Sequence, residues 1–191
     1  MSVRALFLDR DGVVVGDDGR PGARARAILP GTAAAIREAR AAGYRIIVVT
    51  NQTAVARGLL TEDEVRAEHA RLGAELAREG ALVDAFYYCP HHPNATLPQY
   101  RVACDCRKPR PGMLRAAAAE HGLDLAASVM IGDRPSDVAA GRRAGCRTVL
   151  VESGMHLAPP IESPDDFGDA RPDATAVDLA AAVRALLGGA G

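Results

Sequence analysis

Four acidic side chains stand in two pairs, and each pair follows a short apolar run. Asp9 and Asp11 follow one run, and Asp133 and Asp137 follow another. Within the first pair, one carboxylate can attack a substrate while the other transfers a proton. Carboxylate oxygens from two chain segments also suit a hard cation, of which Mg²⁺ is the best match. The pairs therefore indicate a metal-assisted site, and one acid of the second pair can in addition cap the next helix.

Lysine occurs only at position 108, and all the other basic side chains except histidine are arginine. An ammonium group is a compact point charge, whereas a guanidinium is a flat fork. Thr50 and Asn51, at the end of another apolar run, offer donors for phosphoryl oxygens. A phosphate beside two aspartates is repelled by about 4 kcal/mol per pair of unit charges at about 4 Å and an effective dielectric of about 20. Mg²⁺ and Lys108 together would supply the compensating positive charge.

Soft and borderline metal ligands form two close pairs joined by a short loop. The pairs are Cys89 with His91, and Cys104 with Cys106. Four such ligands suit tetrahedral zinc, and a full shell leaves no open position for water, so we expect a structural Zn²⁺. His92 is a possible substitute for His91.

Size and composition predict one soluble domain spanning residues 1–191. The chain is 48% apolar, carries a formal net charge of -1 and has only 4% aromatic residues. These values do not favour nucleic acid or membrane as a partner. The apolar run before Asp9 is too short for a signal peptide, so we expect a cytoplasmic protein, and a monomer.

Alternation of strands and helices predicts an α/β fold, namely a three-layer Rossmann-like parallel sheet with helices on both faces and no separate cap domain. The predicted strands span residues 3–8, 44–49, 85–88, 128–131 and 148–151. The predicted helices span 32–43 with Thr32 as cap, 61–80 with a Thr61 and Glu64 capping box, 111–122, 136–145 and, after a loose tail from about 152, 178–187. Ligands of such sheets bind at the carboxyl ends of the strands, so Asp9, Thr50, Cys89 and Asp133 should meet at one edge. We expect Cys146 to be a core thiol and His69 to serve packing.

Four motifs in order resemble those of the haloacid dehalogenase-like phosphatases. They are LDRDGVV at 8–14, Thr50, Lys108 and GDRPSD at 132–137. The finer patterns TNQ, CPHHP and CDCRKPRPGM are similar to the branch of D,D-heptose 1,7-bisphosphate 7-phosphatases, which also resembles histidinol-phosphatases. The resemblance covers roughly residues 3–151.

This resemblance implies a role for each matching residue. Asp9 would be the nucleophile that forms an aspartyl-phosphate, and Asp11 the general acid and base. The implied Mg²⁺ ligands are Asp9, Asp11 through its main-chain carbonyl, and Asp133. Thr50 and Lys108 would hold the phosphoryl group. Substrate contacts are expected from Asn51, Arg107 and Arg134, and the resemblance selects His91 for the zinc shell.

The segment 15–26 departs from the family pattern, because Val15 replaces the usual asparagine and a Tyr-Val pair is missing. This segment contacts the sugar in relatives. The expected activity is Mg²⁺-dependent removal of the 7-phosphate of D-glycero-D-manno-heptose 1,7-bisphosphate. The alternatives are a histidinol-phosphate phosphatase, a polynucleotide 3′-phosphatase and a non-enzymatic zinc-stabilised binding domain.

Overall fold

A single parallel sheet organises the molecule. The computed structural model describes residues 2–17, 22, 26–153, 167 and 170–189. Its strands are β1 Arg4–Leu8, β2 Tyr44–Asn51, β3 Ala85–Cys89, β4 Val129–Gly132, β5 Arg147–Val151 and β6 Ala174–Ala176. They lie in the order β3-β2-β1-β4-β5-β6, and every pairing is parallel. The predicted parallel α/β fold is therefore confirmed.

Strand order reverses between β1 and β4. Leu6 of β1 pairs with Ile46 of β2 on one side and with Val129 of β4 on the other. In an open parallel sheet, the connections on the two sides of such a reversal leave in opposite directions and open a crevice at the carboxyl edge. The residues that follow β1 and β4 therefore flank the natural ligand crevice of this fold.

Helices cover both faces of the sheet. They are α1 Thr32–Ala41, α2 Thr53–Ala56, α3 Glu62–Arg78, α4 Gly112–His121, α5 Pro135–Ala144 and α6 Leu179–Gly188, with a 3₁₀ turn at Pro98–Tyr100. Side chains of β1 alternate between two cores, as the pleat of a strand requires. Leu6 and Leu8 pack with α1, α3 and α6, whereas Ala5 and Phe7 pack with α4 and α5. None of the described helices is long and apolar enough to cross a membrane.

Local signals in the sequence predicted most ends of the helices and strands to within two residues of their observed positions. The capping box of α3 is confirmed, because Thr61 Oγ1 accepts from the Glu64 amide while the Glu64 carboxylate accepts from the Thr61 amide. The predicted cap of α1 was wrong: Gly31 is the cap residue, with a positive φ of 81° that suits glycine, and Thr32 is the first helical residue.

The C-terminal region differs most from the expectation. Residues 174–176, expected to lie in a loose tail, form β6 and pair with β5. This strand is only Ala-Thr-Ala, too short and too weakly apolar to be recognised without its neighbour. Residues 154–166, 168 and 169 of the tail lie outside the described part of the chain. Cys146 is buried in the core beside α4 and α5, as predicted.

Candidate active site

The predicted meeting of strand ends at one edge of the sheet is confirmed. Asp9 directly follows β1, Thr50 is the second-last residue of β2, and Asp133 directly follows β4. All three side chains are buried, and Lys108 from the loop before α4 is buried with them. Groups that are far apart in sequence thus share one water-poor pocket of the fold.

Lys108 is the central cation of this edge. Its Nζ lies 2.9 Å from Asp9 Oδ1 and 2.6 Å from Asp137 Oδ1, and it donates to the carbonyl of Val49 at 2.8 Å. An ammonium has three donors, and each has an acceptor here. Burial by itself lowers the pKa of Lys108, but the carboxylates of Asp137 and Asp9 outweigh it and raise the pKa. The lysine is therefore charged and rigidly held.

Asn51 fixes the backbone of that lysine. Its Oδ1 accepts from the Lys108 amide at 3.1 Å, and its Nδ2 donates to the Lys108 carbonyl at 2.9 Å. We expected the Asn51 side chain to contact substrate. In the structure, its amide group binds the backbone of Lys108. The consequence is that the end of β2 directly positions the backbone that carries the Lys108 ammonium.

Three carboxylates form the acidic side of the site. Ligand oxygens of Asp9, Asp133 and Asp137 all lie within 4.8 Å of one another. Burial raises the pKa of Asp133 to about 7, with a further contribution from the charge of Asp137. Burial also raises the pKa of Asp9, and the neighbouring acids Asp137 and Asp133 add to that shift against the opposing effect of Lys108. The site holds more negative charge than one ammonium neutralises.

The donor set fits a divalent cation. Asp133 Oδ2 accepts from Ser153 Oγ at 2.8 Å, whereas Asp133 Oδ1 is buried and has no hydrogen-bond partner within the described part of the protein. A buried carboxylate oxygen without a donor is costly unless a cation compensates it. Hard oxygen ligands at this spacing suit Mg²⁺. Gly12 keeps the space beside them open, because a Cβ there would lie 1.9 Å from Asp133 Oδ2.

The carboxylate of Asp11 is not part of this acidic cluster. Asp11 was expected to contribute only its main-chain carbonyl, and the third acid of the cluster is Asp137, whose Oδ2 also accepts from the Arg134 amide and caps α5. The Asp11 carboxylate instead pairs with Arg10, at 2.9 Å between Oδ2 and Nη2. One side chain, Asp137, thus serves both as a helix cap, as expected for one acid of this pair, and as the partner of Lys108.

Gln52 links Thr50 to the ion pair of Asp11 and Arg10. Its Nε2 donates to Thr50 Oγ1 at 2.8 Å and to Asp11 Oδ2 at 3.2 Å, and its Oε1 accepts from Arg10 Nη2 at 3.1 Å. Sequence reasoning did not single out Gln52 as a functional residue. Its position two residues after Thr50, at the carboxyl end of β2, was the available signal.

The predicted zinc ligands lie together. Cys89 Sγ is 3.6 Å from Cys104 Sγ and 3.1 Å from Cys106 Sγ, and His91 Nδ1 is 3.4 Å from Cys106 Sγ. The four ligand atoms all lie within 4.8 Å of one another, so they could hold one zinc ion, in whose tetrahedral shell the sulfur atoms would move to about 3.8 Å apart. His92 lies outside the cluster, and its Nδ1 accepts from the Asn94 amide.

The pKa values of these thiols reflect their crowding. The thiol of Cys89 lowers the pKa of Cys106 to about 5 through a hydrogen bond, and His91 contributes to the same shift. The hydrogen bond to Cys106 and burial raise the pKa of Cys89. One thiolate is thus already favoured in this cluster, and a zinc ion would stabilise the others as thiolates.

The two arginines expected to contact substrate have different surroundings. Arg107 is buried and its Nη1 donates to the His91 carbonyl at 3.1 Å and to Thr53 Oγ1 at 3.2 Å. It therefore joins the cysteine and histidine cluster to α2. Arg134 is half-buried, with Nη2 3.5 Å from Asp17 Oδ2. It faces the segment that departs most from the family pattern.

Comparisons with known proteins agree with this geometry. Residues 10–142 match the model of the haloacid dehalogenase-like hydrolases. A D-glycero-beta-D-manno-heptose-1,7-bisphosphate 7-phosphatase of Rhodopseudomonas palustris is 49% identical over 142 residues, covering 74% of this chain and 79% of the relative. The corresponding Escherichia coli K12 enzyme is 39% identical over 168 residues, covering 87% of this chain and 88% of the relative.

A solved structure is similar over nearly the whole chain. The D,D-heptose 1.7-bisphosphate phosphatase from B. bronchiseptica, complexed with magnesium and phosphate, superimposes with a TM-score of 0.80. It is 34% identical, and the match covers 98% of this chain and 99% of that one. With acids and a threonine at the ends of parallel strands, a buried lysine beside them, and these relatives, the chain belongs to the haloacid dehalogenase-like hydrolases and is a phosphatase.

Proposed function

We propose that this phosphatase removes the 7-phosphate of D-glycero-D-manno-heptose 1,7-bisphosphate in an Mg²⁺-dependent reaction through an aspartyl-phosphate. The observation that carries the proposal is the buried Lys108 ammonium between Asp9 and Asp137, at the edge of the sheet where Thr50 also lies. Relatives at 39% and 49% identity are named for this substrate, which supports the choice of sugar.

In the first half of the reaction, a carboxylate oxygen of Asp9 attacks the phosphorus atom. The bond between phosphorus and the sugar oxygen breaks, and Asp11 gives its proton to that oxygen as the sugar leaves. Thr50 and Lys108 hold the phosphoryl oxygens, so their positive and donor groups face the charge that develops. The product of this step is an aspartyl-phosphate on Asp9 and a free sugar hydroxyl.

In the second half, Asp11 takes a proton from water. The hydroxide so formed attacks the phosphorus atom, and the bond to Asp9 breaks, which releases inorganic phosphate, restores the carboxylate of Asp9 and leaves Asp11 protonated for the next cycle. The carboxylates of Asp9 and Asp133, with the main-chain carbonyl of Asp11, would hold Mg²⁺. That ion would supply Lewis-acid polarisation and charge neutralisation when bound.

A second, structural metal follows from the cysteine and histidine cluster. We propose that Cys89, His91, Cys104 and Cys106 hold Zn²⁺ with no open coordination position. Cys106 precedes Lys108 by two residues, and the Gly112 amide donates to the Asp105 carbonyl at 2.9 Å. A Cβ at Gly112 would lie 2.3 Å from that carbonyl oxygen, so this contact also requires glycine. The zinc loop would thereby fix the backbone that carries Lys108.

A panel of substrates tests the proposed activity. Phosphate release is measured from both anomers of the heptose bisphosphate, from histidinol phosphate and from a nicked DNA with a 3′-phosphate, each with and without Mg²⁺. We expect the highest kcat/KM on one heptose anomer and no release by Asp9→Asn. A higher kcat/KM on histidinol phosphate or on DNA would refute the substrate, and turnover by Asp9→Asn at the native rate would refute the nucleophile.

A further inference from the structure

Arg10, between the two acids of the first motif, has a buried guanidinium with partners on several sides. Arg10 is 7% exposed. Its Nη2 lies 2.9 Å from Asp11 Oδ2, and its Nε donates to Asp11 Oδ1 at 3.2 Å, so the fork engages both oxygens of that carboxylate. Its Nη1 lies 3.3 Å from Nε2 of His69 in α3. The guanidinium thus connects the proton-transfer carboxylate to a histidine 59 residues away in sequence.

The contact with His69 has a defined direction. A guanidinium can only donate, so Nε2 of His69 must accept, and the ring proton must then be on Nδ1. Burial lowers the pKa of His69 to about 4, and the charge of Arg10 adds to that shift against the weaker opposing effects of Asp11 and Glu68. His69 is therefore a neutral acceptor near pH 7.

Aromatic neighbours hold the ring of His69 in place. It stacks on Phe86 with centroids 5.0 Å apart and an interplanar angle of 17°, and it meets the edge of Tyr88 at 5.7 Å. His69 is 5% exposed. The position of its acceptor nitrogen is thus set by α3 and β3 rather than by the loop that carries Asp11.

We propose that His69 is a positioning residue for proton transfer: it fixes the guanidinium of Arg10, which in turn orients the carboxylate of Asp11. The proposal rests on the proposed role of Asp11 as general acid. It assigns to this histidine more than the packing role expected from the sequence. Loss of the acceptor leaves the buried Nη1 without this partner, so Arg10 shifts to find another and moves Asp11 with it. Small misplacements of a reacting group are costly in rate.

The leaving group provides a readout that packing alone would not change. An alkoxide needs a proton from Asp11 as it departs, whereas p-nitrophenolate departs without one. The quantity to measure is kcat/KM, because it reports the steps up to the first release of product. We compare the heptose bisphosphate with p-nitrophenyl phosphate for His69→Phe, which keeps an aromatic ring beside Phe86 but removes the acceptor, and for His69→Gln, which restores an acceptor.

We expect His69→Phe to lower kcat/KM on the sugar phosphate by roughly tenfold or more, since general acid catalysis contributes about 10²–10⁴ in rate. On p-nitrophenyl phosphate the change should stay within about twofold, and His69→Gln should recover most of the loss. An equal loss on both substrates, no loss on either, or a glutamine variant as slow as the phenylalanine variant would overturn the proposal. Should His69→Phe fail to fold, His69→Met takes its place, because methionine adapts to irregular core space.

A double-mutant cycle tests whether His69 acts through Arg10. In an Arg10→Met background, His69→Phe should cause no further loss on the sugar phosphate, because the link is already broken. Losses that multiply would overturn the proposal. Asp11→Asn separates this inference from the proposed function. If that variant is equally slow on both substrates, the acid role of Asp11 is refuted. If Asp11→Asn is slower on the sugar phosphate than on p-nitrophenyl phosphate but His69→Phe shows no such difference, only the role of His69 is refuted.

Discussion

Replacing Lys108 by methionine should destabilise the fold strongly and in a pH-dependent way. The change keeps the length and apolar stem of the side chain but removes its charge from between Asp9 and Asp137. The acidic oxygens, all within 4.8 Å of one another, then face each other without a cation. At that distance and an effective dielectric of about 20, each pair of ionised carboxylates repels by about 3.5 kcal/mol. Removing one partner of a buried ion pair typically costs about 3–5 kcal/mol, and we expect a loss in this range at pH 8.

The loss should be smaller at pH 5. The folded-state pKa of Asp133 is raised from 3.8 to about 7, so the folded protein binds more protons than the unfolded chain between these values. The cost of its buried charge therefore grows as the pH rises through this window and is complete above about 7. At pH 5 Asp133 is protonated in the folded state, and less repulsion remains for Lys108 to offset.

Urea unfolding followed by circular dichroism measures both values in buffer without divalent cations. Arg78→Met is the control, because it removes an exposed cation at the end of α3 and should change the unfolding free energy by less than about 0.5 kcal/mol. Added Mg²⁺ should recover part of the Lys108→Met loss at pH 8, since a divalent cation would replace the missing charge. A loss below about 1 kcal/mol at pH 8, or the same loss at both pH values, would refute the reasoning.

Three further changes have expected outcomes of their own. Asp9→Asn should abolish turnover and yet raise the unfolding free energy in Mg²⁺-free buffer at pH 8. Burial and the charge of Asp137 raise the pKa of Asp9, so its charge disfavours the folded state, and a drop in the urea midpoint would contradict this. Cys104→Ser should lower bound zinc and Tm while the folded fraction keeps most of its kcat, and an unchanged Tm would count against a structural metal. Gly12→Ala should lower the free energy of unfolding by about 2–4 kcal/mol and remove most of the activity, because the φ of Gly12 is +87° and the new Cβ would lie 1.9 Å from Asp133 Oδ2. Native kinetics and stability would show that this contact relaxes easily.

Local and periodic signals made the fold predictable. Short apolar runs alternating with capped helical segments identified the five longer strands, and parallel order followed because each connection contains a helix or a comparably long crossover. The strand β6 was not predicted, because the three residues Ala-Thr-Ala carry no recognisable pattern. It forms only because β5 presents a free edge, which is a property of the assembled sheet.

Side-chain partners at the site could not be predicted in the same way. The spacing of Asp133 and Asp137 showed that two acids follow β4, but not that the second turns back from α5 to Lys108. Nor did the sequence show that the amide group of Asn51 binds the lysine backbone. Such partners depend on where a loop 57 residues away places its atoms.

The sequence by itself determined the phosphatase family and the edge of the sheet where the acids and Thr50 meet. The residue types, their order and their positions after apolar runs sufficed, because carboxyl ends of parallel strands must meet. Only the tertiary structure decided which charged groups pair. Asp9 and Asp137 pair with Lys108, and Asp11 pairs with Arg10, which also contacts His69. Hydrogen-bond and ion-pair partners are set by distances of a few ångströms between segments far apart in the chain, and no local pattern encodes such distances.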